Sequence, residues 1–181
     1  KAVMTTARYD LAAAAVGGKI YALGGGNGRN KNQEYDPATN TWATKAVMPM
    51  GRESLAASAV GGKIYVVGGE NGSNFVDTSD EYDPVAGTWA TKAAMTLSRN
   101  HLAAAAVGGR IYVVGGNNGG GLNKNEEYDP GVGEKFTGLT PNKSYPFQAK
   151  ARNAIGSETA HIISSTYTLA VASFPLAGTS I

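Results

Sequence analysis

Three stretches of the chain carry the same order of apolar and polar positions: LAAAAVGGKIYALGG from Leu11, LAASAVGGKIYVVGG from Leu55 and LAAAAVGGRIYVVGG from Leu102. In each, a short apolar run meets a glycine pair, and a second apolar run ends in another. Alanine has the highest helix propensity, but a helix as short as these runs is marginal on its own. The glycine pair supplies the positive φ angles that a two-residue hairpin turn requires. The runs are therefore predicted as antiparallel strands. Their unbroken apolar character predicts burial on both sheet faces, so sheets must stack on one another.

The rest of the repeat follows the same logic. An Asn/Gly-rich loop leads to Glu-Tyr-Asp-Pro in all three copies, and then to Thr-Trp-Ala-Thr-Lys-Ala in the first two. Asp36-Pro37, Asp83-Pro84 and Asp129-Pro130 predict turns, because Asp bonds its own backbone and Pro fixes φ. TWATKAVM and TWATKAAM are predicted as fourth strands. Four short antiparallel strands in a repeat of about 46 residues describe a propeller blade. Alanine in the first strand suits the crowded position nearest the axis. Trp42, Trp89, Tyr65 and Tyr112 are expected to be buried scaffold residues.

The double glycine after an apolar run, followed by Tyr35 and Trp42 or by Tyr82 and Trp89, resembles the kelch motif. The resemblance covers residues 1 to about 130 and implies an all-β propeller that binds through its loops. Kelch-like propellers are mostly interaction modules, with galactose oxidase an enzymatic relative. Lys1-Ala2-Val3-Met4 repeats the ends of the fourth strands, which predicts a piece of a longer array. Three blades do not close a ring, since propellers have about four to eight.

The third repeat breaks its pattern where Lys135 stands in place of Trp, so a fourth strand is not expected there. From residue 134 the chain resembles the second half of a fibronectin type III domain. Leu139, Pro141 and Tyr145 give the tyrosine-corner spacing, and Phe147, Ala149 and Ala151 alternate with polar residues. The expected organisation is kelch-like blades over 1–133, a partial fibronectin-like segment over 134–169, and a linker or further domain over 170–181. Both fragments then expose unpaired strand edges. Either other segments of a larger protein or neighbouring subunits complete them.

Charge and composition narrow the function. Sixteen Lys and Arg against fourteen Asp and Glu give a net charge of +2 with no basic run, which removes the electrostatic footprint of a nucleic-acid binder. No apolar stretch approaches the ~18 residues of a membrane-inserting helix. Cysteine is absent, so disulfides, thiolate nucleophiles and the copper and cross-linked radical chemistry of galactose oxidase are not expected. The glycines match no phosphate-binding motif, no G-x-S-x-G elbow occurs, and His101 and His161 are not joined by carboxylates at useful spacing. Asp77, Asp80 and Glu81 suggest calcium only weakly, because the calcium-loop pattern is missing. Catalytic residues, cofactors and metals are accordingly not expected.

Arg8, Arg52 and Arg99 recur just before the inner strand, where the kelch resemblance implies that arginines can face an acidic peptide ligand; a structural pairing with a repeated carboxylate such as Asp36, Asp83 or Asp129 is the preferred expectation. Ligand contacts are sought where the repeats differ, because scaffold demands are constant and ligand demands need not be. Tyr9, Glu53 and His101 fit that rule. The loops holding Asn27, Asn30, Asn71, Phe75, Asp77 and Asn118 are added on other grounds: Asn and Gly there suit turns of positive φ, but Asn amides also pair with sugar hydroxyls or peptide backbone. Phe75 is the expected apolar anchor. The predicted function is a non-catalytic binding or adhesion module with a protein or glycan ligand. Its extracellular or cell-surface location is implied by family resemblance. The alternatives are a subunit that self-assembles into an oligomer or filament through open β-edges, and an accessory domain of a carbohydrate-active enzyme.

Overall fold

The computed structural model describes residues 1–131 and three further strands, Phe136–Gly138, Tyr145–Phe147 and Ser165–Tyr167. Among these residues every regular element is a strand. The first blade is β1 (Ala12–Val16), β2 (Lys19–Leu23), β3 (Asn32–Asp36) and β4 (Thr41–Thr44), in spatial order β1-β2-β3-β4. The second holds β5 (Ala56–Val60) and β6 (Lys63–Val67), then a small hairpin of β7 (Glu70–Asn71) and β8 (Asn74–Phe75), then β9 (Ser79–Asp83) and β10 (Thr88–Lys92). Its sheet runs β10-β9-β6-β5. The third is β11 (Asn100–Val107), β12 (Arg110–Asn117), β13 (Asn125–Tyr128) and β14 (Phe136–Gly138).

The alanine runs are strands, as their length predicts. Gly17 and Gly18 have φ of 60° and 74°, and the pairs at Gly61 and Gly108 closely repeat these values, so each hairpin turns on two residues in left-handed geometry. The second pair in the first two repeats has another task. A Cβ on Gly68 would lie 2.7 Å from the Arg99 carbonyl oxygen and 2.9 Å from the Met95 methyl. Only glycine lets the end of β6 approach the segment that enters the next blade.

The inner strands β1, β5 and β11 lie side by side, and the blades stack face on face. Ala12, Ala14, Tyr21 and Leu23 form the trailing face of the first blade, and they pack against Leu55, Ile64, Val66 and Tyr82 on the leading face of the second. Ala56, Tyr65 and Val67 meet Leu102, Ile111, Val113 and Tyr128 in the same way. Tyr21 and Tyr82 have ring centroids 5.9 Å apart, and Tyr65 and Tyr128 5.7 Å. Met48 and Met95, at the ends of the fourth-strand segments, fill the remaining space in the two cores.

Two expectations need correction. Tyr65 is buried, but Trp42, Trp89 and Tyr112 are only half-buried. Each Trp sits on an outer strand, stacked on Tyr35 or Tyr82 at about 5 Å. Its indole N–H donates to a backbone carbonyl, from Trp42 to Ala2 at 3.1 Å and from Trp89 to Ala46 at 2.8 Å. The third blade also has a fourth strand. In β14 the residue opposite Tyr128 is Phe136, the register position held by Trp42 opposite Tyr35 and by Trp89 opposite Tyr82. An extra residue in the connection shifts the aromatic by one place and hides the match.

The chain divides into two compact units, Lys1–Gly138 and Leu139–Ile181. In the second, β15 (Tyr145–Phe147) pairs antiparallel with β16 (Ser165–Tyr167). The fibronectin-like reading of 134–169 rests mostly on residues outside those described, and the expected linker at 170–181 lies wholly outside them.

Candidate functional site

The loops between second and third strands gather at one end of the blades, together with the segments that precede the inner strands. Backbone pairing fixes this arrangement. Tyr9 bridges Gly26, Glu53 bridges Glu70, and Asn100 pairs with Asn117. The first two loops are also tied to the next blade: Arg52 N–H donates to the Arg29 carbonyl at 2.8 Å, and Arg99 N–H to that of Val76 at 3.2 Å. The loops therefore form one continuous rim across three blades.

At its centre, Asp10, Ser54 and His101 occupy the same place in each repeat and share left-handed backbone, with φ of 51°, 52° and 50°. The Ser54 N–H donates to the Asp10 carbonyl and the His101 N–H to the Ser54 carbonyl, both at 2.9 Å. This conformation is costly for residues with a side chain. The relayed bonds between blades hold it, and the side chains of Asp10 and His101 are left in solvent. The periodicity of the sequence carries no sign of this geometry, because the three residues have nothing in common chemically.

The expected ligand residues separate into two groups. Tyr9 is 58% exposed, and Asn27, Asn30, Asn71, His101 and Asn118 are exposed as well. Tyr9 lies over Gly26, where any Cβ would collide with its ring. Glu53, by contrast, is buried, with Oε1 accepting from Arg29 Nη2 at 2.6 Å. Phe75 and Asp77 are half-buried, Phe75 in β8 opposite Glu70. The Asp77 carbonyl accepts the Met95 N–H at 2.9 Å. Asn100 Nδ2 donates to Glu70 Oε2 at 2.9 Å, so polar side chains as well as backbone join the rim from blade to blade.

Asp77, Asp80 and Glu81 do not converge. Asp80 and Glu81 point to opposite faces of β9, where Asp80 accepts from Arg52 and Thr91, and Glu81 from Lys63 and Tyr65. The recurring arginines are structural, with partners other than those expected. Arg52 and Arg99 are fully buried between blades. Arg52 pairs with Asp80 and donates to the Thr78 carbonyl at 3.0 Å, and Arg99 Nη1 reaches Glu126 at 3.2 Å. Arg8 has Gln33 at 2.8 Å in the same place, plus the Gly24 carbonyl at 2.6 Å. Asp36, Asp83 and Asp129 instead accept backbone N–H groups of their own turns at 2.8 to 2.9 Å.

Toward the other end of the blades, the hairpin turns Gly17 and Gly62 and the turn residues Pro84 and Val85 border a cleft of about 490 Å³, with Tyr21, Glu34, Lys19 and Lys45 also lining it. Glu34 takes the Tyr21 hydroxyl, Lys19 at 3.3 Å and Lys45 at 3.3 Å. Burial raises its carboxyl pKa, but these donors outweigh burial and leave it below the ordinary value. Burial, with Glu34 as hydrogen-bond partner, pushes the Tyr21 phenol well above its usual range. Tyr65, Lys63 and Lys92 surround Glu81 alike. A network repeated in successive blades is scaffold, with its carboxylates already saturated.

The Kelch motif matches residues 7–49, 51–96 and 98–134. The solved structure of YjhT superposes with a TM-score of 0.65 at 15% identity, over 76% of this chain and 53% of that one. The chain thus spans about half the length of that structure, and the likeness is one of fold. No curated protein matches the chain in sequence.

Proposed function

Because the chain belongs to the kelch-repeat family, whose repeats commonly serve as protein-binding scaffolds, we propose that it is a non-catalytic module that binds a protein partner at the rim of second-to-third-strand loops. The observation that carries this reading is the contrast between the two ends. Around the cleft, carboxylates and cations neutralise each other in a repeated pattern. At the rim, Tyr9 and His101, whose counterparts differ between blades, stand exposed beside the loop asparagines on a backbone fixed by interblade hydrogen bonds. Tyr9, Asn27, Asn30, Asn71, His101 and Asn118 offer an aromatic face with amide donors and acceptors around it. Such a rigid mixed surface suits peptide backbone and side chains. Membership of a secreted or cell-surface protein is part of the same proposal, and rests on the fibronectin-like sequence that follows the blades.

Selection of a displayed random-peptide library on the immobilised chain tests the site. Enriched peptides should lose binding to Tyr9→Ala and His101→Ala while both variants melt near the parent temperature. Peptides that bind these variants undiminished place the site elsewhere, and enrichment on a glycan array in place of peptides would change the ligand class.

A further inference from the structure

The two outer faces of the blade stack are complementary halves of an interface that the chain already makes twice. Ile64 and Ile111, on the leading faces of the second and third blades, are 0% exposed, whereas Ile20 at the same place in the first is 40% exposed. Leu23 and Val67 on trailing faces are 0% and 1% exposed, and their third-blade counterpart Val114 is 43% exposed. Val107 is 65% exposed where Val16 and Val60 pack into the cores. Ala103 and Ala105, in the places of the buried Ala12 and Ala14, are exposed too. The residues stay apolar across the series. At these positions the presence of a neighbouring blade is what changes, whereas Ala22 and Tyr35, on the same face as Ile20, are already buried.

We propose that a second copy of this chain covers both faces, the trailing face of each third blade packing on the leading face of the other copy's first blade, to close a ring of six blades. Continuity with the existing interfaces argues for this occupant. Tyr112 of one copy would meet Tyr35 of the other, as Tyr21 meets Tyr82 and Tyr65 meets Tyr128. The relay from Asp10 to Ser54 to His101 would continue from the His101 carbonyl to the backbone N–H of Asp10 in the second copy. The segment Lys1–Met4 already occupies the place that Lys45–Met48 takes ahead of the second blade, its Ala2 carbonyl accepting from Trp42 as Ala46 does from Trp89. Six blades fall within the roughly four to eight of known propellers. The three-blade chain also superposes on about half of a longer chain of the same fold, so two copies match what one longer chain provides. The contact is through sheet faces, not strand edges, and the two-fold axis relating the copies makes the pair of face contacts isologous and closed.

The 181-residue chain should sediment over a dilution series at twice 18.6 kDa, with no larger species. Val114→Arg and Ile20→Arg, on opposite faces, should each halve that mass while keeping the far-ultraviolet spectrum of a β protein. Val85→Arg, at a 97% exposed turn outside both faces, should leave it unchanged. If one face variant fails to fold, the other carries the test from the opposite side. A monomer at every concentration overturns the proposal, including the case in which residues 139–181 cover a face. An open series of larger species overturns ring closure, and a dimer that survives both face variants overturns the interface.

Discussion

Arg52 and Asp80 form an ion pair between the first and second blades from which water is excluded: the arginine side chain has no exposure and the aspartate 3%. Arg8 occupies the same place in the first blade with the neutral Gln33 as partner, and Arg8 is only partly buried. The difference follows from solvation. A guanidinium that keeps some water tolerates an amide, whereas one cut off from water needs an opposite charge.

Asp80→Ala should therefore cost about 3 to 5 kcal/mol, as for the loss of one partner of a buried pair. Gln33→Ala should cost about 2 kcal/mol, the two hydrogen bonds it makes to Arg8 and Thr5, because Arg8 keeps the Gly24 carbonyl. Urea unfolding of the two variants measures both. Equal losses would contradict the solvation argument.

The glycine pairs should differ in tolerance although their φ values match. Gly61 has φ of 61° with open space where a methyl would stand, and Gly68 has φ of 60° with backbone in the way. Gly61→Ala should cost about 1 to 2 kcal/mol from left-handed backbone alone. Gly68→Ala should cost about 1 to 3 kcal/mol more, from the clash with the Arg99 carbonyl and Met95, read from the same unfolding curves.

Acid should weaken the fold through carboxylates that each blade holds with its own lysines, tyrosines and turn N–H groups. Burial raises the Glu34 and Glu81 carboxyls, but donation from Tyr21, Lys45 and Lys19 to the first, and from Lys63 and Tyr65 to the second, leaves both below their usual values. Asp36 and Asp83 are also lowered, the first chiefly by Lys19 and the second by its own turn N–H groups. Depressed folded values mean that the stabilisation is present above the unfolded values of about 3.9 to 4.3. It is lost as pH falls through the folded ones. Glu34→Gln should flatten the fall in stability below about pH 4, which melting temperatures across that range would show.

Loop and strand aromatics should separate function from stability. Tyr65→Ala should cost about 3 to 5 kcal/mol by emptying a core position. Tyr9→Ala, at an exposed rim position, should change the melting temperature by about two degrees at most, since surface substitutions stay within about 0.5 kcal/mol. A large loss at Tyr9 would make it scaffold.

The blades were legible because their determinants are local and repeated: glycine pairs at fixed spacing, short apolar runs too brief for helices, and Asp-Pro turns. The arginine partners were not. Asp36, Asp83 and Asp129 are identical in all repeats and attract attention, yet they serve their own turns. The position that meets each arginine reads Gln33, Asp80 and Glu126, a variation that conceals its shared role. Phe136 was hidden by a one-residue shift in loop length. The candidate rim was legible in outline from loop placement. The left-handed trio at Asp10, Ser54 and His101 was not, since hydrogen bonds between blades impose that geometry on three unrelated residues.

The central claim, that each blade draws its stability from neighbours packed on its faces, is tested most directly by hydrogen exchange of individual amides. The second blade is covered on both faces. Its central strand amides, Ile64 to Val67, should exchange most slowly in the chain, and those of the inner strands β1 and β11 should exchange faster. Equal protection in corresponding strands of the three blades, or slowest exchange outside the second, would contradict the claim.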